Sequence, residues 1–153
     1  MPRRLPAQFS DPDESNGILL WVAANAWQRR QRAALGELGL THPQFLLLTG
    51  VAWLTREGDP TSQVRLAHHT HADPMMTSQI VRALEKKGLV RRVTNPGDSR
   101  ARQVKATARG RKLAREAVLV AERVDREFFD PVDEERLRGM LRELKGDRPT
   151  SAS

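Results

Sequence analysis

The sequence predicts a mainly α-helical fold, in which two short helices and a β-hairpin lie between longer helices near the ends of the chain. Two observations predict this fold, and a third, the distribution of charge, indicates the kind of partner. Apolar residues recur at helical spacing through most of the 153 residues. Pro96 and Gly97 separate two short β-like runs, "LVRRVT" and "RQVKAT". Twelve of the 26 basic residues, but only two of the 19 acidic ones, fall between residues 82 and 115. The net charge of +7 therefore arises from one segment, and such a segment attracts polyanions.

The composition limits the classes of protein to which the chain can belong. A length of 153 residues fits one domain with its own core. The absence of cysteine excludes disulfides, thiolate zinc sites and cysteine-based redox switches. No apolar run reaches the roughly 18 residues that span a bilayer, and the first residues do not have the form of a signal peptide. We therefore expect a cytoplasmic protein with no membrane partner.

The N-terminal third of the chain predicts an arm followed by two helices. Residues 1–14 contain three prolines and no periodicity, so we expect a mobile arm. An apolar stripe predicts a helix over residues 15–38. Thr41 and Gln44 have the spacing of a capping box, and the helix that they open is almost entirely apolar, which predicts a buried central helix. The run "REGDPT", residues 56–61, is expected to be a loop.

The central third predicts two short helices and a hairpin. Residues 62–71 form an amphipathic pattern, and the next helix begins with Asp73 as its N-cap and ends at Gly88. The buried face of this second helix is expected to contain Thr77, Ile80, Val81 and Leu84. Its outward face is expected to carry Met75, Ser78, Gln79, Arg82 and Lys86. The two β-like runs after Gly88 predict the strands of the hairpin.

The C-terminal third predicts two amphipathic helices. Thr107 can cap a helix that runs to about residue 129, and a final helix begins near Asp133. The long helix is expected to use the apolar seam Leu113, Ala117, Val120, Val124 and Phe128. The helices over residues 15–38 and 107–145 carry more apolar surface than one lobe can cover, so we expect a dimerisation domain. Residues 146–153 are expected to be a disordered tail.

Two short helices followed by a β-hairpin are the pattern of a winged helix-turn-helix DNA-binding lobe, here over residues 41–106. The second helix is narrow enough to enter the major groove. Arg100 in the hairpin is expected to enter the adjacent minor groove, with Asp98 holding it extended. The side chains expected to contact DNA are those of Pro74, Met75, Thr77, Ser78, Gln79, Arg82, Arg91, Arg92, Asp98, Arg100 and Arg102.

The chain resembles the MarR family of bacterial transcriptional regulators. The resemblance is carried by "LTHPQFLLL", by "MMTSQIVRALEKKGLVRRVTNPGDSRARQVKAT" and by "ARGRKL", and it covers about residues 15–145. It implies an obligate homodimer that binds double-stranded DNA at a pseudo-palindromic operator and is associated with the bacterial nucleoid. It also implies repression of its own or adjacent genes and relief of that repression by a small-molecule effector.

Two groups of side chains can be interpreted either as a binding site or as ordinary packing or surface residues. The candidates for a pocket that binds an aromatic or phenolic effector are Trp21, Asn25, His42, Phe45 and Trp53, although tryptophan is more often a packing residue. His68, His69 and His71 form the pattern H-H-x-H, which either binds a metal or belongs to a polar surface. Because the chain has no thiol and this pattern is more often a polar surface, we expect no metal and no cofactor.

The remaining function classes are an enzyme and a protein-interaction module. The sequence contains no recognisable nucleophile–base pair, glycine-rich phosphate loop or carboxylate pair, so we do not expect an enzyme. The alternative is a winged helix that binds an acidic protein partner. A salt titration separates this alternative from DNA binding, which weakens steeply with salt.

Overall fold

The computed structural model describes residues 11–94, 97 and 102–146, and these form a mainly helical fold with a small antiparallel sheet, as predicted. The helices are α1 (Asn16–Gly36), α2 (His42–Leu54), α3 (Gln63–Thr70), α4 (Pro74–Lys86), α5 (Ala108–Phe129) and α6 (Glu134–Lys145). The strands are β1 (Thr61–Ser62), β2 (Val90–Thr94) and β3 (Arg102–Ala106). No helix in the described part of the chain is both long and apolar enough to cross a membrane.

The helices begin where side chains cap them. The Thr41 hydroxyl accepts a hydrogen bond from the Gln44 N–H at 3.2 Å, and the Gln44 amide oxygen accepts one from the Thr41 N–H at 3.2 Å. The predicted capping box is therefore confirmed. Asp73 caps α4, and Thr107 caps α5 by accepting from the Gly110 N–H at 3.0 Å. Short-range sequence signals thus fix the starts of three helices.

The sheet has the order β1-β3-β2, with both pairs antiparallel. Strands β2 and β3 are the predicted hairpin. The prediction of a loop over residues 56–61 was wrong at its end, because Thr61 in β1 pairs with Val104 in β3. A strand of two residues has no periodicity to read, so its pairing depends on where β3 lies in space.

The core lies between α2, α4, the sheet and α5. Leu47, Leu48 and Val51 of α2 are buried there. The prediction that α2 is buried all round was wrong, because Leu46 is 41% and Trp53 57% exposed. These two residues lie on the flank of α2 that borders an open groove and a neighbouring depression, described below.

The two ends of the described chain differ from the interior. Pro12–Glu14, in the segment expected to be a mobile arm, form a single turn of 3-10 helix before α1. No residue of α6 is buried. Helix α6 ends at Gly146, which has a left-handed φ of 89°, and residues 147–153 lie outside the described residues.

Candidate nucleic-acid interface

Helix α4 has one buried face and one exposed polar face. The Asp73 carboxylate accepts from the N–H groups of Met75 and Met76 at 2.8 and 2.9 Å, which fixes the first turn. Val81 and Leu84 are fully buried. The opposite face carries Met75, Gln79 and Arg82, all exposed, with Ser78 half-buried beside them; Pro74, at the start of the helix, is exposed as well. A helix with this division can lay its polar face in a groove without unpacking the core.

Thr77 does not belong to that exposed face. It has no exposed surface, and its hydroxyl donates to the Asp73 carbonyl oxygen at 2.9 Å. The prediction that the Thr77 side chain contacts DNA was therefore wrong. Its position in the buried series at helical spacing was the better indication of its role.

The wing strands contact α4 through side chains. The Glu85 carboxylate accepts from the Arg92 backbone N–H at 3.0 Å, and lies 3.3 Å from Arg92 Nε. On the other strand, Arg102 Nη1 donates to Ser78 Oγ at 3.5 Å. Two of the arginines expected to contact DNA thus also connect the wing to the helix. Arg91 is exposed on β2.

The tip of the wing is only partly described. Gly97 is an exposed turn residue. Asp98 and Arg100, the residues expected to act in the minor groove, lie outside the described residues, so their predicted contacts stay predictions.

Not every basic residue of the charged segment is directed at a partner. Lys87 Nζ donates to the Gly39 carbonyl oxygen at 2.6 Å and to the Gln44 amide oxygen at 2.9 Å. Arg109 donates to the Lys87 carbonyl oxygen at 3.2 Å, and Arg111 to the Ala106 carbonyl oxygen at 2.7 Å. These three cations bind helix and strand ends of their own chain, which the charge count alone could not distinguish.

The five residues predicted to bind an effector do not form one site. His42 packs edge-on against Trp27 with ring centroids 5.1 Å apart, and stacks on Phe45 at 6.1 Å. Trp21 is 70% exposed on α1, and the Asn25 amide donates to the Trp21 carbonyl oxygen at 2.7 Å. Trp53 lies at the other end of α2.

The aromatic cluster around His42 adjoins a polar joint between α1 and α5. One Asp125 carboxylate oxygen accepts from Trp27 Nε1 at 2.7 Å and from Gln31 Nε2 at 2.8 Å. Burial lowers the pKa of His42 below its usual value, while the nearby Asp125 carboxylate opposes that shift. His42 is therefore held mainly as the neutral ring near neutral pH.

Trp53 borders a groove that the sequence did not reveal. The groove has a volume of about 610 Å³, and a mostly apolar floor is flanked by three arginines. Its lining residues are Thr49, Ala52, Trp53, Arg56, Arg111, Ala114, Arg115, Val118 and Leu119. We call it the α2–α5 groove. Its lining comes from two segments far apart in sequence, so no local pattern indicated it.

A second depression shares Thr49, Trp53 and Val118 with the α2–α5 groove. It reaches His69 and Thr70 at the end of α3. The concave surface therefore extends from the long helix α5 across α2 to the first helix of the helix-turn-helix.

The three histidines at the end of α3 lie on the surface. His68, His69 and His71 are exposed. Among the described residues, no group of three or more His, Cys, Asp or Glu side chains could hold a metal ion. Two of the histidines, His68 and His71, border a small depression beside Pro74.

Comparison with known proteins agrees with this architecture. The model of the MarR family matches residues 40–101. The HTH-type transcriptional regulator YdcH of Bacillus subtilis is 40% identical over 123 residues, which cover 80% of this chain and 84% of that protein. The chain belongs to the MarR family. This MarR-family chain is therefore a winged-helix transcriptional regulator, and its relatives are regulators rather than enzymes.

Two further comparisons concern bound molecules. The HTH-type transcriptional repressor Rv2887 of Mycobacterium tuberculosis is 32% identical over 113 residues, which cover 74% of this MarR-family chain and 78% of that protein. The crystal structure of Rv2887 in complex with salicylic acid has a TM-score of 0.61 at 28% identity, covering 88% of this chain and 96% of that one. A mutant of E. coli MarR complexed with operator DNA has a TM-score of 0.71 at 24% identity, over 87% and 93% of the two chains, and so shares the fold.

Proposed function

We propose that this MarR-family regulator is a homodimeric repressor that binds an inverted-repeat operator and is released by a small anionic effector. In this proposal α4 lies in the major groove and the hairpin wing in the adjacent minor groove. The observation that carries the proposal is the outward face of α4, where exposed side chains able to contact base edges lie opposite a fully buried face.

The side chains of this face suit particular base edges. The Gln79 amide can form two hydrogen bonds with adenine, and the Arg82 guanidinium two with guanine. Met75, which is 72% exposed in the first turn, suits a thymine methyl group. Arg91 on the exposed side of β2 and Arg102 on β3 are suited to flanking phosphates.

Exposed apolar surface on the terminal helices supports the homodimer. Residues 18–22 of α1 are five consecutive apolar residues, each between 44 and 70% exposed. On α6, Met140, Leu141 and Leu144 are between 44 and 76% exposed. Contiguous apolar surface of this kind marks an interface. A second copy would cover it and place two α4 helices about one DNA turn, roughly 34 Å, apart.

The α2–α5 groove supports a site for the effector. Its apolar floor suits an aromatic ring, and the exposed Arg115 suits an acidic group, since Arg111 and Arg56 already donate to the Ala106 and Trp53 carbonyl oxygens. Salicylic acid, bound by the relative Rv2887, combines these two features. A ligand there would touch α5 of the dimerisation helices and α2 of the DNA-binding lobe. A coupling that lowers operator affinity by about five- to 150-fold would be enough for release.

Fluorescence anisotropy tests the DNA-binding part of the proposal. The protein is titrated against the DNA upstream of its own gene and against a scrambled duplex, at two salt concentrations. We expect saturation at one dimer per upstream site and a slope of about −0.9 in log affinity against log salt for each phosphate contacted. Equal binding to both duplexes would contradict sequence-specific recognition. Binding that salt barely affects would favour the protein-interaction alternative.

Matched variants test the assignment of α4. Gln79→Ala and Arg82→Ala should each weaken binding to the upstream site more than binding to the scrambled duplex, because base contacts carry the sequence preference. Arg123→Ala removes the same charge from an exposed position on α5 and should leave the preference unchanged. If Arg123→Ala and Arg82→Ala lowered binding to both duplexes equally, Arg82 would contribute only charge.

Release by salicylate tests the effector part. We expect salicylate to dissociate the wild-type complex, and Arg115→Ala to require more salicylate for the same release. Lys112→Ala removes an exposed cation from the same helix outside the groove and serves as the control. Release that is unchanged in Arg115→Ala would place the ligand elsewhere.

A further inference from the structure

The hairpin wing is attached to α4 at two points, one on each strand. Arg92 on β2 contacts Glu85 twice, through its backbone N–H at 3.0 Å and through Nε at 3.3 Å. Arg102 on β3 contacts Ser78 through Nη1 at 3.5 Å. Glu85 and Ser78 are seven residues apart on α4, which corresponds to about 10 Å along a helix axis. Two attachments at that separation restrict both the tilt and the rotation of the wing relative to the helix.

The Glu85 contact also provides an acceptor for a backbone N–H at the open edge of the sheet. Strand β2 lies at the edge of the sheet, because the order is β1-β3-β2. The Arg92 N–H donates to Glu85 rather than to β3, so it is one of the donors on the open side of this strand. The carboxylate thus binds the backbone of the wing as well as an arginine side chain.

The location of Glu85 is unfavourable for binding DNA by charge alone. It is one of only two acidic residues between residues 82 and 115, where twelve basic residues lie. A carboxylate on such a surface repels phosphates and weakens the positive field. Both carboxylate oxygens of Glu85 nevertheless contact Arg92, one through the backbone N–H and one through Nε.

We propose that Glu85 is a positioning residue, which holds the wing at a fixed orientation to α4 through Arg92 so that helix and wing enter neighbouring grooves together. Arg92 serves this attachment rather than acting first as a phosphate contact. The inference rests on the proposed DNA binding. Its consequence is that Glu85, which touches no base, increases the preference for the operator over other DNA.

The two effects of removing Glu85, loss of a negative charge and loss of the attachment, change the affinity for the operator in opposite directions. Removal of a negative charge from a DNA-binding surface should by itself strengthen binding to every duplex. Removal of the attachment should instead weaken binding to the operator. If the correct wing orientation falls to about one tenth of the population, the apparent dissociation constant for the operator rises about tenfold. Glu85→Ala therefore distinguishes the two effects by direction.

The measurement uses a duplex enriched by the wild-type protein from a random library and a scrambled duplex of the same length. We expect Glu85→Ala to bind the enriched duplex about tenfold more weakly, with unchanged or tighter binding to the scrambled one and an unchanged salt slope. Glu85→Gln, which keeps an acceptor for the Arg92 N–H, should restore part of the preference. Glu57→Ala breaks a surface pair with Arg56 away from the wing and should change neither preference nor salt slope.

Two further readouts separate positioning from general damage. The Arg92 amide should exchange hydrogen faster in Glu85→Ala, whereas the thermal unfolding midpoint should barely change, since exposed pairs contribute little stability. Arg92→Lys keeps the positive charge. If Arg92 only contacts a phosphate, binding should be retained, whereas if Arg92 attaches the wing to Glu85, the preference for the enriched duplex should be reduced. Tighter binding of Glu85→Ala to both duplexes would overturn the inference while leaving DNA binding intact. Failure of the wild-type protein to enrich any duplex would overturn both the role of Glu85 and the proposed DNA binding.

Discussion

Replacing Gly110 with alanine tests a close approach between α5 and the base of the wing. A Cβ at this position would lie 1.8 Å from the Leu89 carbonyl oxygen and 2.8 Å from the Leu89 carbonyl carbon. Real Cβ atoms do not come closer than about 3.0 Å, so the two segments must separate by about 1.2 Å. Both clashing atoms belong to the backbone, which cannot swing away as a flexible side chain can.

The surrounding contacts determine the magnitude. The Leu89 carbonyl oxygen accepts from the Thr107 N–H at 3.1 Å and from the Thr107 hydroxyl at 3.1 Å. A shift of this carbonyl strains both bonds and the Thr107 cap of α5. Forcing a group into a packed core costs about 1–3 kcal/mol, and loss of an N-cap adds about 1 kcal/mol. We therefore expect Gly110→Ala to lower the free energy of unfolding by about 3 kcal/mol.

Urea denaturation followed by circular dichroism measures this change, at one fixed protein concentration because the stability of the proposed dimer would depend on it. Gly36→Ala is the matched control. Gly36 is exposed at the end of α1, and an added Cβ meets no atom within 4 Å, so its replacement should be neutral or stabilising by up to about 1 kcal/mol. A Gly110→Ala protein within about 1 kcal/mol of the wild type would refute the reasoning that this backbone contact is rigid.

Three smaller perturbations complete the predictions. Burial lowers the pKa of His42 below the value of 6.5 that it has in the unfolded chain. As the pH falls below 6.5, the unfolded chain therefore binds a proton more readily than the folded protein does, and the free energy of unfolding should decrease. In pH-dependent urea titrations His42→Gln should remove this component, and Asp125→Asn, which removes the charge that raises the pKa, should enlarge it. Asp73→Ala should cost about 1 kcal/mol in the same assay by uncapping α4, and Asp73→Asn should cost less; equal losses would show that the charge matters more than the cap. Thr107→Ala should cost about 1–2 kcal/mol and Thr107→Ser much less, since serine keeps the hydroxyl; a serine variant as unstable as alanine would contradict the capping role.

The sequence by itself determined where the helices begin and what α4 presents. The caps at Thr41, Asp73 and Thr107 act within three residues, so they are legible without a fold. The exposed face of α4 followed from its periodicity, and the hairpin from its turn residues. The prediction for Thr77 failed where a residue near the helix start was assigned to the groove against that same periodicity.

The tertiary structure decided the features that depend on distant segments. Helix α5 uses the small residues Gly110, Ala114, Ala117 and Ala121 on its buried face, whereas Leu113 and Val120 of the predicted seam are only half-buried. Small residues allow close approach of backbones, and this advantage appears only when the partner segment is known. The strand β1, the α2–α5 groove and the use of Arg109 and Arg111 within the chain follow the same rule. Each depends on a distance between elements far apart in sequence, and no local pattern encodes that distance.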